Sequence, residues 1–240
     1  MAEVMELWPS GNPGGWTCPN PEVEEMASEG GFRLLKNISR PTLTIYPAEG
    51  AAADAPVVLV CPGGGYFIVA HEHEGAEIAE HLNRHGIHAA VLKYRLPNEG
   101  EEPRHSVGLE DAKRALEMLR KKGYGRVGQI GFSAGGHLTA VTANTAGPRP
   151  DFVALIYPAY LQDGSVPVAE GSPPAFLVHT MDDPIVCESS LAYAKACRDA
   201  GIPAELHLYP RGGHGYGLRT DVPGVRDWGL RLVEWIQALS

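Results

Sequence analysis

Positive charge is scarce in this chain. Its 240 residues carry 20 Lys and Arg against 29 Asp and Glu, a formal net charge of −9. A binder of nucleic acid or of an anionic membrane surface needs clustered Lys and Arg, so neither partner is expected. Cysteine is scarce too: Cys18, Cys61, Cys187 and Cys197 form no Cys-x-x-Cys pair and no Cys/His set with zinc-finger spacing. They read as reduced thiols, which fits a reducing compartment. No stretch approaches the roughly 18 uninterrupted apolar residues of a membrane span. The start, Met1-Ala-Glu-Val-Met-Glu-Leu-Trp, lacks the basic-then-apolar pattern of a secretory leader. A cytoplasmic protein is therefore the expectation. Repeats and low-complexity tracts are missing, and charged residues make up only 20% of the chain, which argues against disorder.

What is present is enough for a core: 44% of the residues are hydrophobic. The length suits one domain spanning 1–240. Residues 1–30, rich in Pro and Gly around Trp8 and Trp16, read as an irregular N-terminal arm. Beyond it the pattern becomes regular. Strands are expected over Thr42–Tyr46, Pro56–Cys61, Ile87–Tyr94, Arg126–Phe132, Phe152–Tyr157, Ala175–His179 and Glu205–Tyr209. Helices are expected over His73–Arg84, Ser106–Lys122, Ala134–Asn144, Ser189–Ala200 and Val225–Leu239. Continuously apolar strands alternating with helices imply an α/β fold, a mostly parallel central sheet with helices on both faces. Ligands of such sheets bind beyond the carboxyl ends of the strands.

The sharpest motif sits at such an end. Gly131-Phe-Ser133-Ala-Gly135 lies between an apolar strand and a helix, followed by Gly136 and His137. A nucleophilic serine on this tight turn needs glycines on either side to remove clashing Cβ atoms, and the helix that follows aims its N-terminus at developing negative charge. His137 lies inside the first turn of that helix and reads as a packing residue. The turn resembles that of α/β-hydrolases, in which an acid and then a histidine follow the serine in chain order. His214, in the loop Arg211-Gly-Gly-His-Gly-Tyr-Gly, is the candidate general base. His207 lies in a strand, and His179 ends one just before the acid loop, which it would brace. Asp182 and Asp183 are adjacent just past that strand, so only one of them can reach the base. The D-x-x-V arrangement, with Val186 turning the chain into the next helix, favours Asp183. Asp182 then bonds local backbone N–H groups. Asp163, on an earlier loop, is the outsider.

Pro62-Gly63-Gly64-Gly65-Tyr66 follows another strand end. Its backbone N–H groups are candidates for an oxyanion hole, with Gly64 and Gly65 assigned together with Ala134, and Gly63 and Tyr66 as near alternatives. A phosphate loop does not fit, because no G-K-[ST] and no G-x-G-x-x-G follows.

These motifs, in this order, make the chain resemble the α/β-hydrolase superfamily. Within it, Leu7-Trp-Pro9 and Pro13-Gly14 add a resemblance to bacterial carbohydrate esterases related to acetyl xylan esterases, with a hormone-sensitive-lipase-like core. The resemblance implies an α/β-hydrolase fold, a Ser-His-Asp triad, an acyl-enzyme intermediate and no cofactor. Pro62 stands where the lipase-type loop carries histidine. Some members of that group are labelled xylanases, but no pair of carboxylates here is identifiable as glycosidic acid and nucleophile, so glycosidase chemistry is not expected. Only a short loop separates Pro158 from Ala175, leaving little room for a cap and disfavouring a long-chain lipase. An open site suits a small acyl group on a sugar, such as an acetylated xylo-oligosaccharide. Tyr66, Tyr157, Tyr160 and Tyr216 lie near the active loops, and Tyr66, Tyr160 and Tyr216 are the candidate substrate contacts. A peptidase, amidase or other small-ester hydrolase of the same fold is the alternative. A non-catalytic receptor would have lost a member of the triad. His71, Glu72, His73 and Glu74 read as a solvated loop and helix start rather than a metal site. The sequence carries no signal for an oligomeric state.

Overall fold

The structure is a computed structural model that describes residues 2–27, 31–52, 54–185 and 187–239. Val186 lies outside the described residues. In chain order the strands and helices are β1 (Glu3–Glu6), β2 (Val23–Met26), β3 (Arg33–Lys36), β4 (Thr42–Tyr46), β5 (Val57–Cys61), α1 (Glu77–Arg84), β6 (His88–Lys93) and α2 (Ser106–Lys121). There follow β7 (Val127–Phe132), α3 (Ala134–Asn144), β8 (Val153–Ile156), β9 (Ala175–Thr180), α4 (Glu188–Asp199), β10 (Ala204–Tyr209) and α5 (Trp228–Ala238). Eight strands form one sheet in the order β1-β4-β6-β5-β7-β8-β9-β10. From β6 to β10 all neighbours are parallel, while β1 and β4 add an antiparallel edge.

Alternation along the strands decides which layer each residue joins. In β5, Val57, Leu59 and Cys61 pack with Ala112, Leu116 and Leu119 of α2 and Leu138 of α3. Val58 and Val60 point the other way, toward Ile78 and Leu82 of α1 and Trp228, Leu232 and Ile236 of α5. A third cluster joins α3 and α4 to β8 and β9 through Ala140, Leu155, Leu177 and Tyr193. The sheet is thus covered on both faces. β5 and β7 are direct neighbours, with Cys61 opposite Gly131, so the glycine loop and the serine turn leave the sheet side by side. Among the described residues no strand or helix intervenes between β8 and β9, and nothing there forms a cap.

Two expectations need correction. The first 30 residues are not simply irregular. β1 pairs antiparallel with β4, and β2 forms a hairpin ribbon with β3. Leu35 of that ribbon then exchanges both backbone hydrogen bonds with Val69, at 2.9 and 2.8 Å, which docks it beside the glycine loop. The segment around His73 is not a solvated helix start either. A single π-type turn, Glu72–Ala76, precedes α1, and it buries His73 and Glu74. Such turns recur at functional sites because the extra residue re-aims its neighbours.

Candidate active site

The serine turn shows why its flanking residues are glycine. Ser133 has φ 50° and ψ −117°, between β7 and the first residue of α3. A Cβ on Gly131 would lie 2.0 Å from the Gly135 carbonyl oxygen, and one on Gly135 would lie 2.1 Å from that of Cys61. No larger residue fits either place. The strained conformation, of order 1–3 kcal/mol, is held by neighbouring bonds. The Ser133 N–H donates to Ile156 O at 3.1 Å, and the Ala159 N–H donates to Ser133 O at 3.1 Å.

Three side chains from three strand ends meet here. The Ser133 hydroxyl lies 2.9 Å from His214 Nε2, and His214 Nδ1 lies 2.6 Å from Asp183 Oδ2. With Nδ1 donating to the carboxylate, Nε2 is left as the acceptor for the serine proton. The other Asp183 oxygen accepts the Ile185 N–H at 2.8 Å. The adjacent aspartates therefore divide their work. Asp182 accepts the Gly212 and Gly213 N–H groups of the distant His214 loop, each at 2.9 Å, in addition to local partners at Thr180 and its own N–H. The Gly213 N–H is the main reason its carboxyl is held below the usual range. Asp163 only caps its own loop, accepting the Ser165 N–H. The His214 ring packs against Tyr157 with centroids 4.9 Å apart.

The glycine loop carries the N–H groups expected to serve as oxyanion donors. Among the described residues neither the Gly64 nor the Gly65 N–H has a protein partner. Both glycines line the cleft with Ser133. Ala134 opens α3, where the first N–H groups lack partners within the helix. These are the assigned positions. Gly63 is not free for the role, because its N–H donates to Glu74 Oε2 at 2.8 Å.

Glu74 is a residue that the sequence reading missed. It is 3% exposed, and it also accepts the Tyr157 hydroxyl at 2.7 Å, whose oxygen in turn accepts the Gly217 N–H at 2.9 Å. One carboxylate thus ties the glycine loop to the loop that carries His214. In the string His71-Glu-His-Glu74 nothing distinguishes it from a solvated polar run. Replacing it by leucine leaves two buried donors unpaired, at about 1–3 kcal/mol each. Glu74→Leu is therefore expected to lower unfolding free energy in urea by a few kcal/mol. If the glycine loop forms the oxyanion hole, its loss of bracing should lower kcat about 10²-fold with KM nearly constant.

Of the candidate substrate contacts, only Tyr160 reaches the cleft. It is 40% exposed, with φ 59°. The cleft measures about 440 Å³ and is also lined by Phe32, Ile68, Ala70, Ile185 and Gly215. Tyr66 and Tyr216 are buried, which corrects the expectation that they meet substrate. Tyr66 stacks behind Tyr160 with centroids 6.2 Å apart, and its hydroxyl is hydrogen-bonded to His137 Nδ1 at 2.7 Å. Tyr216 packs edge-on to Tyr157 at 4.6 Å. Aromatic type alone does not distinguish a platform from the support beneath it. Phe32, brought in by the hairpin ribbon, was likewise not legible as a cleft residue. No group of three or more His, Cys, Asp or Glu side chains among the described residues is placed to hold a metal ion.

Burial lowers the pKa of His137 to about 4, with the nearby His105 adding to the shift. The neutral ring is hydrogen-bonded to the Tyr66 hydroxyl and so anchors the glycine loop to α3. An unfolded chain protonates this histidine near 6.5, whereas the folded one does so near 4. Between these values the unfolded state binds more protons, so stability is full above 6.5 and falls as pH drops toward 4. From pH 7 to pH 5 the loss from this residue is about 2 kcal/mol. Urea midpoints at the two pH values, set beside those of His137→Gln, measure it; the variant should show a shallower dependence.

Residues 68–225 match the dienelactone hydrolase family. An acetylxylan esterase of Xylanibacter ruminicola is 31% identical over 66% of this chain, and endo-1,4-β-xylanase B of Butyrivibrio fibrisolvens is 31% identical over 68% of it. The chain spans only 40% and 33% of the lengths of these two proteins. Among solved structures, an acetyl ester-xyloside bifunctional hydrolase from Caldicellulosiruptor lactoaceticus superposes with a TM-score of 0.80 at 29% identity, covering 99% of this chain and 96% of its own.

Proposed function

Since the chain belongs to the dienelactone hydrolase family of the α/β-hydrolase superfamily, we propose that it is a serine esterase that removes short acyl groups, above all O-acetyl groups of carbohydrates such as xylo-oligosaccharides. The observation that carries this reading is the continuous hydrogen-bonded path from Ser133 through His214 to Asp183 at the floor of an open cleft. Ser133 attacks the acyl carbonyl while His214 Nε2 takes its proton. Asp183 holds the imidazole tautomer and offsets the charge of the imidazolium. The oxyanion develops within reach of the Gly64, Gly65 and Ala134 N–H groups. His214 then protonates the leaving alcohol, and a water activated by the same nitrogen clears the acyl-enzyme.

The breadth of the leaving group follows from the surroundings. Among the described residues no cap covers the cleft, so a bulky polar alcohol meets no roof there. Tyr160 offers an exposed ring beside Ser133 on which a sugar face can rest. The names of the acetylxylan esterase and the acetyl ester-xyloside hydrolase support a sugar as the alcohol.

Acetate release from acetylated xylo-oligosaccharides, run beside p-nitrophenyl esters from C2 to C8, tests the proposal. In a long apolar groove each added CH₂ would contribute about 0.8 kcal/mol and favour longer chains. The expected profile instead falls from C2 to C8, with acetate released from the sugar. Activity confined to long acyl chains, or faster cleavage of matched amides than of esters, would overturn it.

A further inference from the structure

The carboxylate assigned to His214 serves a second histidine. His179, the penultimate residue of β9, places Nε2 2.8 Å from Asp183 Oδ2, the same oxygen that meets His214 Nδ1 at 2.6 Å. Its other nitrogen, Nδ1, lies 2.8 Å from the Ser190 hydroxyl in α4. His179, Ser190 and the Asp183 side chain are all buried from solvent. Each of these polar atoms therefore has to be satisfied within the group.

The geometry allows one consistent proton arrangement. Ser190 donates to His179 Nδ1, His179 Nε2–H donates to Asp183 Oδ2, and His214 Nδ1–H donates to the same oxygen. Ser190 thereby selects the tautomer of His179, and His179 shares the negative charge that His214 draws on. We infer that His179, fixed by Ser190, is a positioning residue that sets both the orientation of Asp183 and the strength with which Asp183 holds a proton on His214. This rests on the esterase reading of Ser133, His214 and Asp183.

Burial keeps His179 neutral, lowering its pKa against the opposing pull of Asp183. Other titratable groups near the pair are Glu188 and Cys187 at the head of α4, Tyr157 against the His214 ring, and Asp182 and Tyr216 beside the His214 loop. Among the described residues none of these is hydrogen-bonded to Asp183 Oδ2.

The sign follows. A donor on Oδ2 draws charge away from the bond to His214. Without it the carboxylate holds protonated His214 more firmly, and a protonated base cannot accept from Ser133. In His179→Phe the acid limb of the kcat/KM profile is expected to move up by about one pH unit. The plateau kcat should fall by about tenfold or more, with KM for a short acyl ester little changed. His179→Gln, whose amide can still donate, should return the limb close to that of the wild type. Ser190→Ala, which frees the tautomer but keeps the ring, should shift the limb in the same direction by less.

The experiment measures pH profiles of kcat/KM on p-nitrophenyl acetate for the wild type and the three variants. Rates are normalised to the active fraction titrated with a fluorophosphonate probe, so partial misfolding does not enter. A limb that moves up in His179→Phe and returns in His179→Gln supports the inference. A limb that stays put in His179→Phe and Ser190→Ala overturns it, whatever the loss of rate, because a merely structural residue changes the active fraction and not the limb. Should His179→Phe fail to fold, Ser190→Ala decides alone by the same criterion. Ser133→Ala runs in parallel: if that protein keeps its activity, the esterase reading fails first, and if it is inactive while the limb is unmoved, only the role of His179 fails.

Discussion

Ser133→Ala is expected to lower kcat on a short acyl ester by about 10⁵–10⁶-fold. The side chain leaves no partner of its own stranded except His214 Nε2, which lies beside the open cleft and can bond water. Alanine at φ 50° bears the same backbone strain as serine, so the turn, already forced by Gly131 and Gly135, has no reason to rearrange. Thermal unfolding should therefore move by no more than a few degrees. A loss of rate with an intact fold is what separates a nucleophile from a turn residue. If Ser133 and His214 act as one unit of nucleophile and base, adding His214→Ala to Ser133→Ala should cost almost nothing further. Steady-state rates of the two single variants and the double variant test both points, and a double variant far slower than Ser133→Ala would mean that His214 serves some other step.

Asp183→Asn is expected to reduce kcat by about 10³–10⁴-fold, and the local hydrogen bonds say why. One Asp183 oxygen accepts the Ile185 N–H and the other accepts from both His214 and His179. An asparagine has only one accepting end. If its oxygen faces His214, its NH₂ confronts the Ile185 N–H, donor against donor. If it flips, the NH₂ faces His214 Nδ1 and selects the tautomer with a proton on Nε2, which then cannot accept from Ser133. Either arrangement sets donor against donor, the second because the NH₂ also meets the buried His179 Nε2–H, so a drop in melting temperature should accompany the loss of rate. Raising the pH should not restore activity, because the fault lies in a tautomer and not in a titration. Rate–pH profiles and a thermal scan of the variant check this pair of outcomes.

The parts of the site legible in the sequence are those where backbone geometry dictates residue type. Gly131 and Gly135 are required by carbonyls near 2 Å from their missing Cβ atoms, and such demands leave a written pattern. The buried strands were legible because both of their faces are covered, which yields unbroken apolar runs such as Val57–Cys61. The strand β1 was not, because it lies at the sheet edge with most of its residues exposed, so Glu-Val-Met-Glu shows no hydrophobic run. Glu74 was hidden for the opposite reason. A charged residue reads as solvated until its partners are known, and those partners, Gly63 and Tyr157, include one that is 83 positions away. Tyr66 and Tyr160 differ in role through their depth alone, and depth is set by packing between segments that the local pattern does not record.

The bridge from Gly63 through Glu74 and Tyr157 to Gly217 has a consequence for how such enzymes can be recombined. A loop grafted from a relative arrives without its counterpart. A new His214 loop that lacks a backbone N–H at the place of Gly217 leaves Tyr157 short of a donor, and a new glycine loop of different pitch leaves Glu74 with an unmatched charge in the interior. The two loops, from opposite halves of the chain, form one exchangeable part: a chimera should carry over residues 62–74, Tyr157 and residues 211–217 together, or none of them.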